Sequence, residues 1–289
     1  MKEFAYARPQ TVGEAVALLE EYGSEARLLA GGTDLVIGFR DGSIRPKLVI
    51  DLKRIEELKP AIEVIDGVVS ISAATVMADI VGHPATQRHF PALVEAADVV
   101  GSVQIRNRAT LAGNICNGSP AADCAPPLLV YGAVVVITGP SGRRRMPIDD
   151  FIVGPGITAL ARGELVSAIE LPIPDRPFGC AYTRLTRRWG TDLASITLCC
   201  GVDSSGTTRL AYGSVGPRAL LVIDDSGVLA DPDQLDEVKG PVLDQMFAAA
   251  SPSVRSMRAS PGYRLAMLRV LGARALQTAI DRLAEESTT

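Results

Sequence analysis

Two glycine-bearing stretches carry residue types that bind a phosphorylated ligand. The first runs from Leu28 to Leu35 and places two glycines between an apolar strand and a helix start. Glycines let the backbone approach a ligand closely, and free N–H groups at a helix start attract phosphate. Thr33 adds a hydroxyl donor. An ordinary tight turn between a strand and a helix explains the same pattern, so this stretch alone leaves both interpretations open.

The second stretch runs from Gly101 to Asp123. It mixes hydroxyl, amide and carboxylate side chains with residues too small to shield the backbone. Backbone amides can bind a diphosphate, and a carboxylate such as Asp123 can accept hydrogen bonds from sugar hydroxyls. The alternative is a long irregular loop that satisfies its own backbone. Because such loops are uncommon in compact domains unless they have a function, the sequence favours a ligand.

Composition and spacing argue against several other functions. The chain of 289 residues has 29 Lys and Arg against 33 Asp and Glu, so it lacks the basic surplus of nucleic-acid binders. His83 and His89 have no Cys or carboxylate at ligand spacing, and the five cysteines form no CxxC pair, so we expect no metal site here. Gly154 to Ala159 fits a nicotinamide fingerprint only formally and is predicted to be a connecting loop. Neither a Ser-His-Asp arrangement nor a Walker A motif is found.

One long apolar segment of the chain carries no charged residue. The run Leu128–Ile137 is about half of the ~20 residues that a membrane-spanning helix requires, and we predict that it is a buried strand. The amino terminus lacks the apolar core of a signal peptide, so a soluble, cytoplasmic protein is expected. The basic triplet Arg143-Arg144-Arg145 is predicted to be a solvated hairpin tip.

The elements that position the two stretches follow from hydrophobic periodicity. Strands and short helices alternate over about residues 1–55, which predicts a small α/β unit. Its first helix begins with a capping box at Thr11 and Glu14 and ends at Gly23. Residues 61–72 are predicted to form a hairpin that turns at Asp66-Gly67.

The second half of the chain has a different pattern. The Pro-rich segment from Leu171 to Pro177 is the candidate linker. Beyond it, Cys180–Leu185, Ala194–Val202 and Thr208–Gly213 are predicted to be successive antiparallel strands. A long amphipathic helix begins near Pro261. The sequence therefore predicts an α+β region after the linker.

Five motifs occur in one order along the chain: Ala30-Gly31-Gly32-Thr33-Asp34-Leu35, Gln104 to Ile115, Ser119-Pro120-x-x-Asp123, Tyr182-x-Arg184-x-x-x-Arg188-x-x-x-Asp192-Leu193-Ala194, and Ser256 to Arg264. Together they closely resemble the FAD-binding medium subunit of molybdenum hydroxylases. That family includes carbon monoxide dehydrogenase and the xanthine dehydrogenase type. The resemblance covers nearly the whole chain.

The resemblance implies an α+β fold with two domains. Residues 1–174 would form a two-lobed FAD-binding domain of the vanillyl-alcohol-oxidase (PCMH) type, with lobes over about residues 1–55 and 56–174. Residues 175–289 would form a C-terminal α+β domain of the carbon monoxide dehydrogenase flavoprotein type, with an antiparallel sheet and helices.

The resemblance also implies which residues hold the FAD. These are Leu29, Ala30, Gly31, Gly32, Thr33, Asp34, Leu35, Gly101, Thr110, Leu111, Ala112, Gly113, Asn114, Asp123, Leu165 and Arg184. The chain departs from the family at Ala112 and Ala122, which stand where Gly is usual, and at Arg184, which replaces Lys. Ala112 is tolerable there if its φ is negative. No catalytic residue and no metal ligand is expected in this chain.

The function implied is electron transfer within a larger enzyme. An iron–sulfur small subunit would carry two [2Fe-2S] clusters and a large subunit the molybdopterin cofactor, in a dimer of heterotrimers, a heterohexamer. FAD in this chain would collect electrons and reduce an external acceptor. Two alternatives stay open: a self-sufficient flavin oxidase or dehydrogenase, and a structural subunit that has lost FAD.

Overall fold

A computed structural model describes residues 3–286 of the chain. Its strands are β1 (Ala5–Ala7), β2 (Ala26–Leu29), β3 (Leu48–Asp51), β4 (Ile62–Ile65), β5 (Val68–Ser72), β6 (Val134–Gly139), β7 (Gly142–Pro147), β8 (Ile152–Gly154), β9 (Ile157–Thr158), β10 (Leu165–Pro172), β11 (Phe178–Leu185), β12 (Ile196–Asp203), β13 (Thr208–Gly213) and β14 (Leu220–Asp224). Its α-helices are α1 (Val12–Tyr22), α2 (Leu35–Asp41), α3 (Met77–Gly82), α4 (Pro84–His89), α5 (Pro91–Asp98), α6 (Val103–Arg106), α7 (Leu111–Cys116), α8 (Ala125–Val130), α9 (Ile148–Phe151), α10 (Asp236–Met246) and α11 (Pro261–Glu286).

The first lobe is a small parallel sheet in the order β1-β3-β2, with α1 as a crossover helix. The Oγ1 of Thr11 caps α1 by accepting from the backbone N–H of Glu14 at 3.2 Å, as the sequence predicts. The Glu14 carboxylate reaches the N–H of Gln10, one residue before the cap. The helix ends at Gly23, whose φ of +50° favours glycine.

The second lobe is built on an antiparallel sheet in the order β4-β5-β10-β6-β7. The predicted hairpin of residues 61–72 is confirmed: β4 and β5 turn at Asp66 and Gly67, which have φ values of +49° and +76°. Positive φ at both central residues is the mark of a type I′ turn, whose twist matches that of the flanking strands. The segment Gly154-Pro155-Gly156 connects the short strands β8 and β9, as expected for a connecting loop.

Two predictions in this lobe are wrong. The run Leu128–Ile137 is not one strand, because Leu128–Val130 end α8 and the chain turns at Gly132 before β6 begins. Pro126 and Pro127 occupy the first turn of α8, where a missing N–H costs nothing. A charge-free apolar run does not distinguish a buried helix from a buried strand, so periodicity could not separate them.

The basic triplet also lies elsewhere than predicted. Arg143, Arg144 and Arg145 belong to β7, not to the hairpin tip. Because side chains alternate along a strand, Arg143 and Arg145 form ion pairs with Glu170, whereas Arg144 pairs with Glu164 at 2.7 Å on the other side. Acidic partners on β10 and just before it therefore hold the triplet within the sheet.

The C-terminal part contains an antiparallel sheet in the order β11-β12-β13-β14, covered on one face by α11. A Cβ built on Gly179 would lie 1.9 Å from the carbonyl oxygen of Ala279, so only glycine allows this close packing of helix on strand. The free part of the predicted linker is short, because β10 extends to Pro172. Among residues 3–286, no helix is both long and apolar enough to cross a membrane.

The hydrophobic core continues across the linker. Phe178, Cys180 and Cys199 of the C-terminal sheet belong to the same buried cluster as the two N-terminal lobes. A second cluster fills the space between the other face of this sheet and α10 and α11. The three sheets are therefore held by shared apolar packing rather than by the linker alone.

Candidate functional site

The first glycine stretch forms the bend between β2 and α2. Leu29 ends the strand, Leu35 begins the helix, and Gly32 between them has a φ of +78°. Asp34 occupies the cap position of the helix, but its side chain accepts no capping hydrogen bond. Among the described residues, no side chain therefore caps the start of α2.

The second stretch is not the irregular loop that the sequence left open as an alternative. It folds into α6 and α7, followed by α8. Thr110 caps α7 by accepting from the N–H of Gly113 at 3.0 Å, and Ser102 caps α6 by accepting from Ile105 at 3.4 Å. Gly101 before them has a φ of +57°, and a Cβ there would lie 2.6 Å from the Ile105 side chain.

The two stretches touch each other directly. A Cβ built on Gly31 would lie 1.9 Å from the carbonyl oxygen of Arg108 and 3.1 Å from the Cα of Ala109. Ala109 is itself fixed by the N–H of Met77, which donates to its carbonyl oxygen at 2.8 Å. The first bend and the start of α7 therefore form one surface, and glycine at position 31 is what permits the contact.

One buried polar atom on this surface has no protein partner. The Oδ1 of Asn114, in α7, is buried and accepts no hydrogen bond among the described residues. A buried acceptor without a partner costs about 1–3 kcal/mol. A ligand with hydroxyl or amide donors is one way to satisfy this atom. The departures at Ala112 and Ala122 are compatible with the local backbone, because neither residue has a positive φ.

Asp123 lies at the junction with the C-terminal sheet. Its Oδ1 accepts from the Tyr182 hydroxyl at 2.6 Å, and Arg184 lies 3.4 Å from both of its carboxylate oxygens. Tyr182 and Arg184 reach the same carboxylate because residues two apart on a strand share a face. Burial raises the pKa of Asp123, opposed by the Tyr182 hydrogen bond and the Arg184 charge. Burial also raises the pKa of Tyr182 well above its usual range.

Leu165 lies at a different place from the two bends. It begins β10, is fully buried and pairs with Thr138. Just before it, Glu164 accepts from Arg144, and the carbonyl oxygen of Glu20 at the end of α1 accepts from Arg162. The strand β10 packs against α7, so Leu165 is joined to the second stretch through the sheet rather than by a direct hydrogen bond.

Tyr182 is the residue of this site that sequence reasoning did not select, although it opens a motif that was recognised. Its signal was the Tyr182-x-Arg184 spacing, which places both side chains on one face of a strand.

The cysteines near the second stretch are a partly buried thiol at Cys116 and a buried thiol at Cys124. Burial raises the pKa of Cys116 to about 12, and Cys124 lies 3.9 Å from the sulfur of Met77. Within residues 3–286, no group of three or more His, Cys, Asp or Glu side chains is placed to hold a metal ion.

Comparison with known proteins identifies the family. The profile of the family described as "FAD binding domain in molybdopterin dehydrogenase" matches residues 2–174. The chain belongs to this family. It is 35% identical over 285 residues to the carbon monoxide dehydrogenase medium chain of Hydrogenophaga pseudoflava, covering 97% of this chain and 98% of that one. It is 32% identical to the xanthine dehydrogenase FAD-binding subunit of Escherichia coli O157:H7, covering 97% of each chain.

The fold agrees with this assignment. A solved structure of carbon monoxide dehydrogenase from Hydrogenophaga pseudoflava, lacking the Mo-pyranopterin moiety of the molybdenum cofactor, superimposes with a TM-score of 0.88 at 34% identity. The superposition covers 97% of this chain and 98% of that one. The molecule is thus an α+β FAD-binding medium subunit of the molybdenum hydroxylase type, and it belongs to an oxidoreductase. The resemblance stated from the motifs is confirmed.

The residues present fit FAD. The cofactor offers a diphosphate, sugar hydroxyls and a ring with polar edges. The two stretches offer a glycine bend whose helix start has no side-chain cap within residues 3–286, the acceptor Oδ1 of Asn114 and the buried carboxylate of Asp123. These donors and acceptors suit a dinucleotide better than an apolar ligand, because buried polar groups require polar partners.

Proposed function

We propose that this subunit transfers electrons from the [2Fe-2S] clusters of a small partner subunit to an external acceptor. FAD, when bound, supplies the chemistry of accepting electrons and handing them on, while the protein binds and orients it. Substrate hydroxylation would take place at the molybdopterin cofactor of a large subunit. No acid–base residue of this chain is then required for substrate oxidation, and we assign no catalytic residue to it.

The cofactor contacts that we propose are the residues that the motifs indicate. The backbone of the first bend would bind one side of the diphosphate, and the second stretch the other side. Asp123 would accept from a ribose or ribityl hydroxyl, and Arg184 and Leu165 would lie beside the flavin. The full proposed set is Leu29, Ala30, Gly31, Gly32, Thr33, Asp34, Leu35, Gly101, Thr110, Leu111, Ala112, Gly113, Asn114, Asp123, Leu165 and Arg184.

The contact between Gly31 and the backbone of Arg108 carries this proposal. It brings two stretches that are far apart in the sequence onto one surface, with polar backbone on both sides. The Oδ1 of Asn114 on α7 and the Asp123 carboxylate are acceptors of the kind that the hydroxyls of a dinucleotide require. A tight turn that served only the fold would need neither acceptor.

The partner subunits and the domain boundaries are also part of the proposal. Relatives named medium chains support a complex with an iron–sulfur subunit and a molybdopterin subunit, and we propose a dimer of heterotrimers in the cytoplasm. The division into residues 1–174 and 175–289 stays a prediction. Relatives differ in substrate, carbon monoxide or xanthine by name, so we assign none to this chain.

The experiment is co-purification of the tagged subunit with its partners, followed by analysis of FAD, iron, sulfide and molybdenum. We expect FAD in the isolated chain, and iron and molybdenum only when partners are present. Flavin bleaching by a substrate added anaerobically to the isolated chain would instead indicate a self-sufficient oxidase. A colourless chain that takes up no added FAD would indicate a structural subunit.

A further inference from the structure

Among residues 3–286, no strand pairs with one edge of the strand that carries Tyr182. In the order β11-β12-β13-β14, β11 is an edge strand. Backbone groups of residues two apart point to the same edge of a strand, so Phe178, Cys180 and Tyr182 share an orientation. Such edges must be covered or they attract other chains.

Side chains bind the backbone groups along this edge of β11. Glu286 accepts from the N–H of Phe178 at 2.9 Å, and Arg282 donates to the carbonyl oxygen of Cys180 at 2.5 Å. Glu95 accepts from the N–H of Tyr182 at 2.9 Å.

These covering side chains come from two elements on opposite sides of the linker. Glu95 belongs to α5 of the second lobe, whereas Arg282 and Glu286 belong to α11. Glu95 and Arg282 also form an ion pair with each other. Glu95 and Arg282 therefore each bind one backbone group of β11 and also pair with each other. These contacts hold the strand between α5 and α11.

Tyr182 also connects this strand edge to the proposed cofactor site. The backbone of Tyr182 is bound by Glu95, and its hydroxyl donates to Asp123 at 2.6 Å. We propose that Glu95 and Arg282 are positioning residues for the cofactor, which act through Tyr182 on the Asp123 carboxylate. This inference rests on the proposed function in one respect only, namely that Asp123 binds a sugar hydroxyl of FAD.

The test is a double-mutant cycle on the FAD dissociation constant of the full-length chain. Glu95→Leu removes the acceptor for the Tyr182 N–H, and we expect it to weaken FAD binding about tenfold, as for the loss of one charge-assisted hydrogen bond. In a Tyr182→Phe chain the route to Asp123 is already cut, so adding Glu95→Leu should cost at most about twofold more. Arg282→Met should show the same dependence on Tyr182, which keeps the test open if one variant fails to fold.

The matched control is Asp244→Leu, which breaks the 2.6 Å ion pair with Arg269, also on α11. It should leave FAD affinity unchanged. Equal losses from Glu95→Leu with and without the Tyr182 hydroxyl, or no loss at all, would overturn the inference. Failure of the proposed site looks different: a wild-type chain that takes up no FAD, or an Asp123→Ala chain that binds FAD as tightly as the wild type.

Discussion

A single backbone oxygen decides how closely the first bend can approach the second stretch. The carbonyl oxygen of Arg108 occupies the space where any side chain at position 31 would begin. Gly31 has no positive φ, so its requirement is steric closeness rather than backbone conformation. This distinguishes it from Gly32, whose φ of +78° is itself the reason for glycine.

Gly31→Ala should therefore push the first bend away from the second stretch. Overpacking of this kind costs about 1–3 kcal/mol, and the displaced backbone would no longer bind the diphosphate from both sides in the way that we propose. We expect a lower thermal midpoint and loss of bound FAD, measured by calorimetry and by flavin absorbance after desalting. Gly82→Ala is the control, because a Cβ at Gly82 meets nothing within 4 Å. A Gly31→Ala chain with full FAD content would contradict the proposed contact.

Asp123 gives the ligand-free chain a pH-dependent stability. Burial raises its pKa, so the folded chain holds this proton more tightly than the unfolded chain does. The stabilisation from the protonated form is complete below the unfolded pKa of about 3.9 and is lost as the pH rises through the folded pKa. Ionisation of the Asp123 carboxyl therefore destabilises the ligand-free chain.

Asp123→Asn should reveal this loss of stability. Because Asn does not titrate, the thermal midpoint of the ligand-free variant minus that of the wild type should rise as the pH increases from about 4. The difference should become constant above the folded pKa. Thermal melts of both chains in a pH series measure it, and a difference independent of pH would show that the Tyr182 and Arg184 contacts cancel the burial of the charge.

Short elements were the hardest to predict from the sequence. The Thr11 cap and the Asp66-Gly67 turn were predicted correctly, because each is encoded by a few adjacent residues. Helices of four to six residues such as α6 and α7 are too short to be stable alone. They depend on their caps and on packing, α7 against β10 and α6 against α3. This is why residues 101–127 seemed irregular in the sequence.

The candidate site shows the same division. The motifs pointed to both bends and to Asp123, which are local features. The contact of Asp123 with Tyr182 joins residues 59 positions apart. The side chains that bind the backbone of β11 do so because this strand lies at the sheet edge. No local pattern determines either feature, because both follow from how the sheets assemble.

The cap of α7 offers a test at the level of one helix. Thr110→Val keeps the shape of the side chain but removes the oxygen that accepts from Gly113, at a typical cost of about 1 kcal/mol. We expect weaker FAD binding as well, because the first turn of α7 forms part of the proposed cofactor surface.

Thr11→Val is the matched comparison for this change. It removes the equivalent cap of α1, which lies outside both bends. Its stability loss should be similar and its FAD affinity unchanged, as measured by chemical denaturation and by FAD titration. Equal affinities for the two variants would mean that the start of α7 does not contribute to the site.

At the scale of the molecule, α11 connects the C-terminal sheet to the proposed cofactor site at both of its ends. Near its start, Arg264 donates to the carbonyl oxygen of Ser214 at 2.7 Å, and Ser214 in turn donates its N–H to Pro120 at 2.7 Å, beside Asp123. Near its end, Arg282 binds β11. Ser214 has a φ of +64°, a strained conformation for a residue with a side chain, which the contacts on both sides maintain.

The continuous core makes a prediction about the two halves of the chain. Residues of β12 and β13 pack on α8, residues of β11 pack on α5, and all three strands contribute to the N-terminal core cluster. A fragment of residues 1–174 would therefore expose apolar surface that is buried in the whole chain. Exposed apolar area costs about 25 cal/mol per Å². We expect the fragment to lack the cooperative thermal transition of the full chain and to retain little FAD, because Tyr182 and Arg184 are missing from the Asp123 contact.

Co-expression with residues 175–289 separates the possible causes. If the lost core is responsible, the second fragment should restore both the transition and FAD retention by rebuilding the interface with α5 and α8. The measurements are differential scanning calorimetry and flavin absorbance of the gel-filtration peak. A fragment of residues 1–174 that melts cooperatively and binds FAD as tightly as the whole chain would show that the shared packing is dispensable, and that the first half is an independent domain.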